Sequence, residues 1–197
     1  MIEARFRTTM QQFLLDAYMK DEGIILLSGE NGSGKTTFLK SLAGLISLDS
    51  GSISINGRDI TNLQVQERRV VYANQNSYFG HLTIDRHIIW PGVPEKELGI
   101  VNELKENFGI NYSGKLKDLS MGQRMRVTVA TAFAKKPEVI LLDEVVSNIS
   151  KPEDFMENIR SLARRMYIDV VFVAHSIGEA FADHLYSLES GVMKKIN

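Results

Sequence analysis

Eight consecutive residues, Gly29-Glu30-Asn31-Gly32-Ser33-Gly34-Lys35-Thr36, have the composition needed to hold a string of phosphates. Small residues let several backbone N–H groups converge on one anion without side chains in the way. The residues that follow, from Thr37 through Ala43, have helical character, so a helix N-terminus adds unpaired N–H groups and the positive end of its dipole at the same point. Thr37 belongs to that first turn. Lys35 supplies a mobile positive charge for the terminal phosphates, and the Thr36 hydroxyl is suited to holding Mg²⁺. The pattern G-x-x-x-x-G-K-S/T arises by chance in a chain of this length on the order of one time in a hundred. Here it also follows an apolar run, Ile24-Ile25-Leu26-Leu27, giving the order strand, glycine loop, helix.

Two carboxylates, Asp143 and Glu144, end a second apolar run, Val139-Ile140-Leu141-Leu142. In open α/β sheets, ligands bind where the strands run out. Asp143 is then placed to hold Mg²⁺, through water, and Glu144 to take a proton from a water attacking a γ-phosphate. A strand followed by a polar helix cap would carry acidic residues there too; the phosphate loop decides between the two readings.

The run Leu119-Ser120-Met121-Gly122-Gln123 opens another helix, with Ser120 as a good N-cap. This is a second ready anion site. One helix N-terminus is already committed at Gly34, so a second points to a nucleotide carried by another chain.

The elements that must position these groups follow from hydrophobic periodicity. Residues 2 to 7 alternate Ile2, Ala4, Phe6 against Glu3, Arg5, Arg7, and Phe13 to Met19 alternate again, predicting two half-buried antiparallel strands. Ser52 to Ile55 is a short strand ended by Asn56-Gly57, a hairpin turn signal, and Val70 to Ala73 is the next strand. From Asn74 to Ser120, Gly, Pro and Asn are scattered among short helical pieces, Ile84 to Trp90 and Glu95 to Asn107. We read an inserted helical subdomain at about 76–120 between core segments 1–75 and 121–197 of a single domain. Helices follow at Met121 to about Lys135 and Pro152 to Met166, a buried strand at Val170 to Ala174, and a closing hairpin at Leu185 to Leu188 and Gly191 to Lys194. Val-rich runs separated by helices predict an α/β fold with a mainly parallel sheet covered on both faces.

The bulk properties narrow the classes further. A length of 197 residues suits one domain, and a net charge of −1 gives no electrostatic case for a nucleic-acid partner. The absence of cysteine excludes disulfides and thiolate metal sites. The N-terminus has no apolar targeting core and no run is long enough to span a bilayer, so a soluble, cytosolic chain is expected.

Taken in order, these motifs resemble those of the ATP-binding-cassette (ABC) ATPases, P-loop NTPases that serve as motor subunits of membrane transporters. Gly29 to Thr36 stands as the Walker A loop, Gln75 as the Q-loop glutamine, Leu119 to Gln123 as the signature sequence, Asp143 and Glu144 as Walker B and catalytic glutamate, and His175 as the switch histidine. Gln75 read alone could be a solvated loop residue. His175 could be a histidine at the rim of the core; Ser176 and Glu179-Ala180 after it fit the family.

The resemblance implies a head-to-tail dimer sandwiching two Mg-ATP molecules. Each ATP lies between one chain's Walker loop and the other's Ser120, Met121, Gly122 and Gln123. Gln75 would touch Mg²⁺ or the attacking water and His175 the γ-phosphate. It further implies a second ATPase subunit, identical or different, and an integral membrane partner at the cytoplasmic face. It leaves import and export equally open. The family stacks adenine on an aromatic of the first hairpin, for which Phe6 is the nearer candidate by spacing and Phe13 the second, although both could equally be strand core. Tyr78, Phe79, Leu82 and Trp90 stand where the family receives a helix of the membrane subunit, or are simple packing of the insert.

The chain departs from the family at Met121, usually glycine, at Val145, usually proline, and at Ser150, usually aspartate. Ser150 also leaves open a poorly hydrolysing nucleotide switch. Non-transport relatives in DNA repair carry a long coiled coil between the motif halves, and those in translation carry two cassettes; neither feature is present. The chain ends soon after its last strand, so no appended regulatory domain is expected.

Overall fold

The first two strands establish how the N-terminal third is buried. In a computed structural model, which describes residues 1–90, 92–146, 149–174 and 179–196 and only the backbone of Lys96, β1 (Ile2–Met10) and β2 (Phe13–Asp21) pair antiparallel from Ile2↔Asp21 to Met10↔Phe13. The period of two turns Ile2, Ala4, Phe6, Leu15, Ala17 and Met19 inward. β4 (Ser50–Ile55) pairs with the other edge of β1 and adds Ile53 and Ile55 to that face. Asn56 and Gly57, both at positive φ, turn the chain into β5 (Arg58–Asp59), as a two-residue hairpin requires.

The parallel part is built from β3 (Ile24–Ser28), β6 (Val70–Ala73), β7 (Val139–Asp143), β8 (Asp169–Val173) and β9 (His184–Glu189). Their order is β9-β3-β8-β7-β6, each parallel to its neighbour. The fully apolar runs are explained by burial on both sides. Ile24, Leu26, Ile140 and Leu142 enter one apolar cluster, and Ile25, Leu27, Val139 and Leu141 enter the other.

The second cluster is roofed by α1 (Lys35–Ala43) through Phe38, Leu39 and Leu42. The first is roofed by α4 (Met121–Ala134) and α5 (Pro152–Met166). Each fully buried Leu, Ile or Phe contributes about 1.5–3 kcal/mol relative to exposure, so both layers are strongly held to the sheet.

The segment 76–120 contributes α2 (Ile84–Ile89) and α3 (Gly99–Asn107), whose Ile84, Ile88, Val101 and Leu104 join the same cluster as α4 and α5. The helix expected from Glu95 to Asn107 is divided into a 3₁₀ turn at Glu95–Glu97 and α3. Leu98 is the joint, followed by Gly99, a weak helix former.

The closing hairpin does more than its sequence suggests. β10 (Val192–Lys195) pairs antiparallel with β9 and meets β2 in parallel at Val192↔Asp16. That contact joins the antiparallel and parallel parts into one ten-stranded sheet, ordered β5-β4-β1-β2-β10-β9-β3-β8-β7-β6.

Candidate active site

The glycine loop leaves β3 at the end where the parallel strands stop, and its shape is set by what presses on it. Gly29 has φ 141°, and a Cβ there would lie 2.3 Å from the Leu188 carbonyl oxygen of β9. The Gly191 N–H, in the turn between β9 and β10, donates to the Ser33 carbonyl at 3.3 Å. On the other side the Phe13 ring lies against Gly34, where a Cβ would be 2.8 Å from it.

Within this frame Lys35 is buried, and its ammonium donates to the Gly29 and Glu30 carbonyls at 2.7 and 2.8 Å. Burial lowers its pKa, opposed by the charges of Glu144 and Asp143. Phosphate oxygens are stronger acceptors than those two carbonyls, because charge-assisted bonds are roughly twice as strong as neutral ones. The first turn of α1 has neither a capping side chain nor an acidic residue, so its N–H groups face an anion without a competing carboxylate.

The two motif halves meet at Asp143. Its Oδ2 accepts from the Thr36 hydroxyl at 2.9 Å and from the Tyr72 hydroxyl at 2.7 Å. Thr36 donates its only hydroxyl proton here, leaving its oxygen lone pairs for a cation. Among the described residues no group of three His, Asp or Glu could hold a metal. A hydroxyl and one buried carboxylate instead fit Mg²⁺, which keeps waters and takes its remaining ligands from phosphate. Glu144, next in sequence, has φ 58°, the left-handed region that non-glycine residues rarely occupy.

Tyr72 is a site residue that motif reading missed. It pairs with Leu141 in the parallel register of β6 and β7, so Asp143 is its diagonal neighbour on the face covered by α1. Burial, and then the bond to Asp143, push its hydroxyl up to about 12, which keeps it a donor at neutral pH.

Gln75 follows β6 in a turn closed by the Asn76 N–H donating to Asn74 Oδ1 at 2.8 Å and the Asn74 N–H donating to Ser77 Oγ at 2.9 Å. Among the described residues no hydrogen bond fixes the Gln75 amide, so its side chain can turn toward a ligand. His175 lies outside the described residues, as do Ser147 and Asn148.

The second anion site has a different finish. Ser120 Oγ accepts from the Gln123 N–H at 3.3 Å, and Gln123 Oε1 accepts from the Ser120 N–H at 2.9 Å, a reciprocal capping box. The box occupies the Gln123 side chain but leaves Ser120 its hydroxyl proton to donate. Met121 keeps its side chain exposed at the helix tip, beside Gly122. This site and the glycine loop lie on different elements of one chain, and the cavity lined by Gly29 to Ser33 includes none of residues 120–123.

The aromatic candidates separate. Phe6 is 2% exposed and stacked on Phe38 at 5.7 Å with an interplanar angle of 9°. It is a core residue with no face left for a base, because the alternation of β1 turns it inward. Phe13 is the aromatic beside the phosphate loop. Tyr78 packs internally, its ring 4.7 Å from the Arg124 guanidinium, which donates to its hydroxyl. Phe79 and Trp90 are exposed and lie 4.9 Å apart at the rim of an apolar groove of roughly 420 Å³ that includes Val71, His87 and Ala132.

Residues 15–147 match the ABC transporter family. The chain belongs to that family. It is 33% identical over 99% of its length to a probable sulfate/thiosulfate import ATP-binding protein CysA of Chlorella vulgaris, covering 88% of that protein. It is 36% identical over 82% of its length to a molybdate/tungstate import ATP-binding protein WtpC of Thermococcus kodakarensis, covering 52% of it. The chain thus spans nearly all of the algal protein but only about half of the archaeal one, and 56% of the CysA of Synechococcus elongatus, to which it is 34% identical over 92% of its own length.

Solved cassettes share the fold. CbiO1 of Clostridium perfringens, part of the CbiONQ transporter complex, superposes with TM-score 0.83 at 19% identity, over 98% of this chain and 86% of that one. A dimeric ATP-binding cassette bound to ADP and Pi gives TM-score 0.81 at 21% identity, over 100% and 99%. As an ABC cassette, this chain keeps the order of phosphate loop, signature and paired carboxylates, while Val145 stands buried just past the Walker B pair.

Proposed function

We propose that this chain is the ATP-hydrolysing subunit of an ABC transporter, working as a head-to-tail dimer on a membrane partner. The Thr36–Asp143 bond carries the reading, because it joins Walker A and Walker B residues 107 positions apart beside the buried Lys35. Its relatives CysA and WtpC are import ATP-binding proteins, which supports import as the direction.

In this reading the loop amides and Lys35 bind and orient the triphosphate, and Thr36 and Asp143 would hold Mg²⁺, with Gln75 beside them. Bound Mg²⁺ would supply charge neutralisation for the triphosphate. The Glu144 carboxylate accepts a proton from the attacking water as its oxygen bonds to the γ-phosphorus. The bond to the bridging oxygen then breaks, and ADP leaves with phosphate. Ser120, Met121, Gly122 and Gln123 of a second copy would close over the same γ-phosphate, where preorganised donors act most strongly. His175 is assigned there by its motif.

Phe13 is the adenine platform in this proposal. The groove rimmed by Phe79 and Trp90 receives an apolar segment of the membrane subunit and holds the cassette at the cytoplasmic face. Among the described residues no helix is long and apolar enough to cross a membrane.

The test is steady-state ATP hydrolysis combined with size-exclusion chromatography. Lys35→Ala should abolish turnover, and Glu144→Gln should bind Mg-ATP, lose at least about a hundredfold in rate and elute as a dimer. A Glu144→Gln chain that stays monomeric at high concentration with Mg-ATP overturns the sandwich. A wild-type chain that binds ATP without turning it over favours a nucleotide switch instead.

A further inference from the structure

We propose that Tyr72 is a positioning residue for the metal, acting through Asp143; the inference rests on the ATPase reading above. Asp143 is 7% exposed, and a carboxylate so far removed from water needs donors to hold it ionised and oriented. Among the described residues it has two, the Thr36 and Tyr72 hydroxyls, and both reach the same oxygen, Oδ2. Oδ1 receives neither, and is the oxygen left to accept from a metal-bound water.

The two donors are not equivalent. Thr36 sits at the phosphate loop and has its own place beside the cation, so its position depends on what the loop binds. Tyr72 sits on β6, hydrogen-bonded in the sheet beside β7, the strand that carries Asp143. Its distance to the carboxylate is therefore set by the sheet and not by the ligand.

Tyr72 is itself held in place, because the Asn74 amide donates to its oxygen at 3.3 Å while its own proton goes to Asp143. Asn74 directly precedes Gln75 and supplies the side chain that closes the Gln75 turn. A continuous run of hydrogen bonds thus leads from that turn through Tyr72 and Asp143 to Thr36. Groups that orient a metal-binding carboxylate from behind typically control metal affinity by about tenfold to a hundredfold.

The experiment is a titration of a fluorescent ATP analogue into wild-type, Tyr72→Phe, Asp143→Asn and the double variant, in EDTA and in graded Mg²⁺. Tyr72→Phe should raise the Mg²⁺ concentration needed for half-maximal enhancement of binding by about tenfold or more. Affinity in EDTA should match wild type, and the thermal midpoint should fall by no more than a few degrees, as the loss of one hydrogen bond to a buried carboxylate implies. In the double variant, Tyr72→Phe should add little to the loss caused by Asp143→Asn, since both act through one carboxylate. A Tyr72→Phe titration that overlays wild type overturns the proposal. So does a variant that unfolds or loses ATP equally with and without Mg²⁺, either of which assigns the hydroxyl to the fold alone. A wild-type chain whose ATP binding ignores Mg²⁺ overturns the reading of the site itself, and the role of Tyr72 with it.

Discussion

The Arg126 guanidinium reaches out of the signature helix and donates to the Ser150 carbonyl at 2.8 Å, in the segment that leads from Walker B into α5. The same guanidinium donates to the Phe108 carbonyl at 2.9 Å and lies over the Phe155 ring at 5.2 Å. One planar fork therefore pins α4, the end of α3 and the start of α5. The bond to Ser150 goes to its backbone, so the replacement of the family's aspartate does not remove it.

Lysine cannot reproduce a fork that donates in two directions. Arg126→Lys should lower stability by about 1–3 kcal/mol, read as a lower urea midpoint. ATP binding to the single chain should be nearly unchanged, because the phosphate loop lies on other elements. ATP-driven dimerisation should weaken, seen as a higher chain concentration for half-maximal hydrolysis.

Gly29→Ala is expected to disrupt the phosphate loop. The new methyl would meet the Leu188 carbonyl oxygen at 2.3 Å, at a φ of 141° that a side chain rarely tolerates. The strain, of order 1–3 kcal/mol, falls where the loop passes the β9–β10 hairpin. Calorimetric titration with Mg-ATP should show binding weakened at least about tenfold, with a lower melting temperature.

The two phenylalanines of the first hairpin should separate by assay. Phe6→Ala removes a ring stacked on Phe38 inside the core and should cost about 3–5 kcal/mol of stability. Phe6→Leu should leave nucleotide affinity unchanged. Phe13→Ala should weaken binding of ATP more than binding of inorganic triphosphate, since only ATP carries a base to stack. Equal losses for both ligands would assign Phe13 to loop support alone.

His87 should make the fold acid-sensitive. It is 3% exposed, its Nδ1 is 2.8 Å from the Thr131 hydroxyl, and burial lowers its pKa from 6.5 to about 4. Between those values the unfolded chain takes up a proton that the folded chain refuses. This stabilisation is therefore complete above about pH 6.5 and declines as the pH falls toward 4, by at most about 3 kcal/mol. Urea midpoints across that range should fall less steeply in His87→Gln than in wild type.

Local chemistry explains why so much is legible in the sequence. Gly29 to Thr36, Ser120 to Gln123 and Asp143-Glu144 are contiguous runs whose function depends on neighbours in the chain. Apolar runs such as Ile24 to Leu27 announce a strand buried on both faces for the same reason. Period-two alternation likewise places β1 and β2, although it could not say which of Phe6 and Phe13 faces a ligand. The β1–α1 packing decides that, by stacking Phe6 on Phe38.

The remainder depends on register and on close approach between distant segments, which no local pattern encodes. Tyr72 meets Asp143 only because β6 and β7 lie side by side with Tyr72 opposite Leu141. Leu188 and Gly191 bear on the phosphate loop only because the last hairpin folds back across β2 and β3. Sequence alone therefore determined which groups could perform the chemistry. The tertiary structure decided how they are held, because hydrogen bonds and steric contacts act across space between residues far apart in the chain.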